Sequence, residues 1–173
     1  VQVGSGVKVA ATTRLHSQGN VAQTTKPYDL AVKGNGYFQV QLPDGNVGYT
    51  RDGSFEIDNT GALVTVDGYP VQPGITIPEN ARDVTVSQQG LVEVIVGDNP
   101  QPQQLGQIQL ALFTNPAGLE AIGDNFYLET EASGNAQIGN PDEVGFGTLL
   151  QGYLEQSNVN SVSEIADIIS AQR

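Results

Sequence analysis

Short runs with apolar side chains at every second position fill most of the chain, and turn-forming residues break them at close intervals. Phe38, Val40 and Leu42, then Phe55 and Ile57, alternate in this way, which is how a strand offers one face to a core. Between the runs stand Asp44-Gly45, Asp52-Gly53, Asn59-Thr60-Gly61 and Asp67-Gly68, each supplying a residue that tolerates positive φ. The pattern predicts antiparallel hairpins. It continues with Ile75 and Ile77, Val84 and Val86, and then Val92, Val94 and Val96 after a turn at Gly90. A further strand is predicted over residues 107–113, with Ile108, Leu110 and Leu112 inward and Gln107, Gln109 and Ala111 on a wet face. The Pro- and Gln-rich run at 100–104 offers nothing to anchor a core and reads as an exposed connection. Residues 131–147, glycine-rich and polar, are expected to lie extended along a surface.

Only the end of the chain changes period. Ser161 stands three residues before Glu164, the spacing of a capping box. Val162, Ile165, Ala166 and Ile169 then follow at helical spacing, with Ile168 at the margin of their stripe. About three turns of helix are marginal alone, so the stripe requires a partner, either the domain itself or a helix outside this sequence. The expected fold is mainly β, antiparallel hairpins over residues 1–160 followed by a short C-terminal helix over 161–173; the family resemblance given below implies that the β part is an elongated outer domain and that this helix is the start of a longer assembly helix. Starting at Val1 without methionine, the chain reads as cut from something longer.

Charge narrows the partners. The net charge is −12, and residues 83–172 carry twelve acids with no Lys or Arg, whereas six of the seven basic residues lie in residues 1–82 beside seven acids. A phosphate backbone needs clustered cations, so nucleic acid and anionic membrane are poor partners. No apolar run reaches the roughly 20 residues of a membrane span, so membrane insertion is not expected. The absence of cysteine removes disulfides, thiolate metal sites and cysteine nucleophiles.

Candidate chemistry is sparse. His16 is the single histidine, it sits beside no nucleophile motif, and a hydrogen-bonding role suits it better than catalysis. Gly34-Asn35-Gly36 and Gly4-Ser5-Gly6 lack the third glycine and the following helix of a dinucleotide fingerprint, and read as turns. Asp52, Asp58 and Asp67 carry hard oxygen ligands, but without the spacing of a calcium loop, and aspartate has its own backbone role in turns. No catalytic residue, metal or cofactor is expected. A glycosidase-type carboxylate pair, which forms only in the fold, and a carbohydrate-binding β domain stay open as alternatives.

Several strings are more distinctive. Leu-His-Ser-Gln-Gly-Asn at 15–20, Asp-Leu-Ala-Val-Lys-Gly-Asn-Gly-Tyr-Phe at 29–38, Tyr-Thr-Arg-Asp-Gly-Ser-Phe at 49–55 and Gln-Gly-Tyr-Leu-Glu-Gln-Ser-Asn-Val-Asn at 151–160 occur in that order. With Leu-Gly-Gln-Ile-Gln at 105–109, Asn-Pro-Ala-Gly-Leu at 115–119 and the terminal Ala-Gln-Arg, they make the sequence resemble the flagellar rod and hook family over nearly its whole length. Phe126 and Tyr37 depart from the residues commonest in that family, leucine and phenylalanine, by apolar exchange. The resemblance implies a subunit exported unfolded by the flagellar type III system, which polymerises into a helical tube crossing the periplasm. Its implied partners are copies of itself, neighbouring rod subunits, the hook protein and the surrounding periplasmic and outer-membrane rings. There is no room here for the extra domain usual in hook proteins, which points to the rod. Two sets of interface candidates follow from the residues: the stripe Val162, Ile165 and Ile169, and a basic set of Lys8, Arg14, Lys33 and Arg51 that could face a neighbour's acidic half. With its terminal helices incomplete, this length of chain is expected to be a monomer.

Overall fold

The computed structural model describes residues 18–156. His16, Lys8, Arg14, Val162, Ile165, Ile169 and the expected C-terminal helix lie outside the described residues. Within them the chain forms short strands: β1 (Val21–Gln23), β2 (Leu30–Lys33), β3 (Phe38–Gln41), β4 (Val47–Thr50), β5 (Phe55–Ile57), β6 (Leu63–Thr65), β7 (Val71–Gln72), β8 (Ala81–Val86) and β9 (Leu91–Val96). There follow β10 (Gln103–Gln107), β11 (Leu110–Leu112), a 3-10 turn (Pro116–Gly118), β12 (Glu120–Gly123), β13 (Phe126–Leu128), β14 (Gln137–Gly139), β15 (Thr148–Gln151) and β16 (Tyr153–Glu155). Every described strand pairing is antiparallel. Among the described residues, no helix is long and apolar enough to cross a membrane.

The largest sheet has the order β12-β13-β4-β3-β7, and a second orders β10-β9-β8; four two-stranded pairings, β1-β16, β11-β14, β15-β2 and β5-β6, complete the described strands. The alternating residues meet in one main core. Phe38 and Val40 from β3, Leu30 and Val32 from β2, Val92 from β9, and Ile108, Leu110 and Leu149 are all almost fully buried there. Each large side chain withdrawn from water contributes about 2 kcal/mol, and Phe38 meets Phe55 edge-to-face at 5.0 Å. A smaller cluster of Tyr37, Tyr49, Ala111, Phe113 and Leu119 lies beside it. There Phe113 takes edge-on contacts from Tyr49 at 4.8 Å and Tyr37 at 5.8 Å.

The hairpins expected at Asp44-Gly45 and Asn59-Thr60-Gly61 are present as β3-β4 and β5-β6, and Gly45, Gly61 and Gly68 all have positive φ. Four expectations need correction. Gly53 is not among the positive-φ glycines; a Cβ there would stand 1.7 Å from the Leu30 carbonyl oxygen, so close backbone approach requires it. Residues 107–113 are not one strand: Ile108 and Gln109 carry the chain from β10 in one sheet to β11 in another. Ala111 is fully buried and not on a wet face, because its backbone pairs with Tyr37 and its methyl enters the smaller cluster. Finally, Gln103 and Gln104 are exposed but belong to β10, paired with Val94 and Glu93. A glutamine pair on an edge strand needs only backbone partners, which hydrophobic patterning does not register. Ile75 and Ile77 are buried as expected, outside any strand, with Thr76 bridged to Ala62. The 131–147 stretch is mostly exposed, yet it contributes β14 and the fully buried Ser133.

Candidate assembly site at the paired chain ends

The first and last described strands are partners: Val21 lies opposite Glu155, Ala22 opposite Leu154 and Gln23 opposite Tyr153. The Gln156 N–H also donates to the Asn20 carbonyl at 2.7 Å. The first and last described residues therefore lie side by side.

One ion pair pins this pairing. The hairpin β3-β4 delivers Arg51, just past Thr50, beneath the loop that follows β2. Its Nε donates to Glu155 Oε1 at 3.1 Å and its Nη2 to Glu155 Oε2 at 2.6 Å, a two-pronged grip on one carboxylate. Nη1 donates to the carbonyls of Gly34 (2.8 Å) and Gly36 (2.7 Å), and Nη2 to that of Val32 (3.1 Å). A guanidinium has five N–H donors, and five acceptors surround this one. Glu155 is shared in turn: Oε2 also accepts from the Gly19 N–H at 3.2 Å and from Gln18 Nε2. Gln18 Oε1 accepts the Gly34 N–H at 2.8 Å. The side chains of Arg51 and Glu155 are only 17% and 9% exposed, so the pair is largely removed from water and leans on this full set of partners.

The four strings quoted above thus meet at one place. Gln18 and Gly19 come from the first, the carbonyls of Val32, Gly34 and Gly36 from the second, Arg51 from the third and Glu155 from the last. Tyr49 and Phe55 of the third string enter the two cores, and its polar residues shape the turn. Thr50 Oγ1 accepts the Asp52 N–H, Asp52 Oδ1 accepts from the N–H and hydroxyl of Ser54, and Gly53 admits the Leu30 carbonyl. The Asn-Pro-Ala-Gly-Leu string forms the 3-10 turn, held by Asn115 Nδ2 on the Ala132 carbonyl and Thr130 Oγ1 on that of Gly118.

Beside the ion pair is a cavity of about 360 Å³ whose walls include Arg51, Tyr37, Phe113, Pro116 and Gln137. Burial pushes the Tyr37 phenol up to about 12, against the opposing pull of the Arg51 charge. Tyr49 and Tyr127 are also raised by burial. Asp58 shifts the other way: the Thr60 hydroxyl and nearby N–H groups hold its carboxyl below the ordinary range.

Of the basic interface candidates that are described, Lys33 is exposed at the end of β2, whereas Arg51 is engaged within the chain. Sequence reasoning did not single out Glu155, Gln18 or Gln151. Gln151 is a second staple: its Oε1 accepts the Val86 N–H, and its Nε2 donates to the carbonyls of Pro27 and Val84. The available signal was membership of the ordered strings, since neither the charge nor the period of these residues marks them. Among the described residues no group of three or more His, Cys, Asp or Glu side chains is placed to hold a metal ion.

The described residues form an antiparallel β domain whose first and last strands are paired and pinned to each other by one ion pair. Two family models match the sequence: the flagellar hook protein FlgE/F/G D1 domain over residues 31–94, and the flagellar basal body rod FlgEFG protein C-terminal region over residues 150–173. The chain belongs to the flagellar rod and hook family. Within it, the chain is 56% identical over all of its length to the flagellar basal-body rod protein FlgG of Caulobacter vibrioides, and 39% identical over 99% of its length to that of Bacillus subtilis. It spans 66% of the length of each of these relatives. The flagellar basal-body rod protein FlgF of Escherichia coli is 33% identical over 90% of the chain, which covers 62% of it.

Proposed function

We propose that this chain is the outer, β-rich part of a distal rod subunit of the bacterial flagellum, a structural protein that builds the drive shaft between motor and hook without catalysis. The observation that carries this reading is the pinned strand pair. The residues that identify the family are the same ones that bind the first and last described strands to each other, as a domain held at fixed orientation on a tube-forming core requires. Similarity across the whole chain to proteins named FlgG supports the distal rod over its paralogues. The subunit is placed in the basal-body rod that crosses the periplasm. Its partners are copies of itself, adjoining rod subunits, the hook protein and the encircling rings.

In this reading residues 1–160 form the outer layer, and 161–173 begin a helix whose stripe of Val162, Ile165 and Ile169 packs among the tube's inner helices. Lys8, Arg14 and Lys33 meet the acidic half of a neighbour, an open-ended contact of the kind that propagates a helix, while Arg51 holds the subunit's own first and last described strands together. The test is sedimentation of the full-length gene product. Replacing Ile165 and Ile169 by Ser should leave the β domain with an unchanged circular dichroism spectrum and abolish polymerisation. Tubes formed as readily by the substituted protein would overturn the assembly role of the stripe.

A further inference from the structure

The last described segment is attached to the rest in a particular way. Residues 148–156 pair with β2 through β15 and with β1 through β16. Leu149 alone among the buried members of the main core comes from this segment. Hydrogen bonds add to it: the Leu149 N–H to the Gln88 carbonyl, the Gly152 N–H to that of Asp29, the Thr24 N–H to that of Gly152, the Gln156 N–H to that of Asn20, the three bonds of Gln151, and Glu155 on Arg51. Among the described residues β1 has β16, and β2 has β15, as its one strand partner; β1 therefore leaves with β16, whereas β2 stays anchored by Leu30 and Val32 in the main core and by Arg51 on the Val32 carbonyl. If Glu155 withdraws, by contrast, Arg51 still holds the carbonyls of Val32, Gly34 and Gly36, and that part of the framework keeps its cap.

We propose that residues 18–24 and 148–156 open and close as one unit, a strap latched by Glu155 on Arg51, while the strands from Phe38 to Phe126 stay folded. The strap carries the first and last described strands, β1 and β16. A subunit could then hold its outer domain folded before these two strands are locked together, and the latch sets when orientation becomes fixed. The inference concerns the domain itself and stands whether or not the tube-forming role does.

Native-state hydrogen exchange on the intact 173-residue chain tests it. The amides of Thr24, Leu149, Gly152 and Gln156 report on the strap; those of Leu63, Ile108 and Ala111, bonded to Ile75, Gly90 and Tyr37, report on the framework. The strap amides should exchange together and at least about tenfold faster than the framework amides, as a sub-global opening requires. Glu155→Gln, which removes a charge-assisted bond, should speed the strap group by about tenfold or more and leave the framework group within about twofold. Equal protection of both groups in the unsubstituted chain would overturn the proposal, whatever the variant does. So would a uniform acceleration of every amide by Glu155→Gln.

Discussion

A charged residue removed from water is tolerable only when its partners are complete, and Arg51 illustrates why the count matters. Replacing it with Met leaves the Glu155 carboxylate nearly buried without its counter-charge, and should cost about 3 kcal/mol in urea unfolding at unchanged m. Adding Glu155→Leu to that variant should recover part of the loss, because the two side chains act as one unit. Arg51→Lys should not rescue, since an ammonium cannot fork onto one carboxylate while also reaching three carbonyls. Tyr37 gives a pH signature of the smaller core. Its phenol has an ordinary pKa of 10 and one of about 12 in the folded chain, so above pH 10 the unfolded state sheds the proton while the folded state keeps it. Stability from this group is fully present below about pH 10 and lost as pH rises toward about 12. Denaturation midpoints at pH 9 and 11 should therefore differ less in Tyr37→Phe than in the unsubstituted protein.

Among the elements, hairpins whose turns carry Asp-Gly or Asn-x-Gly were legible, because positive φ at a fixed position has a residue signature. The β12-β13 hairpin was not. Its turn uses Asp124 (φ 53°) and Asn125 (φ 69°), after a register shift between Ala121 and Gly123, so the expected dipeptide is absent. An Asn accepts the left-handed region at modest strain where a branched side chain does not. Asn125→Val should cost about 1–2 kcal/mol, and Asn125→Gly should be neutral or stabilising; thermal unfolding of the pair measures the difference. The division of residues 107–113 between two sheets was equally hidden. Apolar alternation reports which side chains turn inward, and Ile108 and Leu110 do, but it carries no information about which neighbour a backbone pairs with.

For the whole molecule, an electrostatic contact between copies predicts that assembly of the full-length protein weakens as salt rises from about 50 to 500 mM, where the Debye length falls well below 10 Å. Indifference of the sedimenting fraction to salt would remove the basic set from the interface. The antiparallel β class, the core faces of β3 and β9 and the family itself were determined by the sequence, because alternation, turn chemistry and ordered strings are local properties that the chain carries with it; Ile57, expected inward by the same alternation, is exposed. Only the tertiary structure decided that Gln18, the loop at 34–36, Arg51 and Glu155 form one site. Their separations in sequence reach 137 residues, and a guanidinium's choice of partner depends on distance and burial, neither of which exists until the chain has folded.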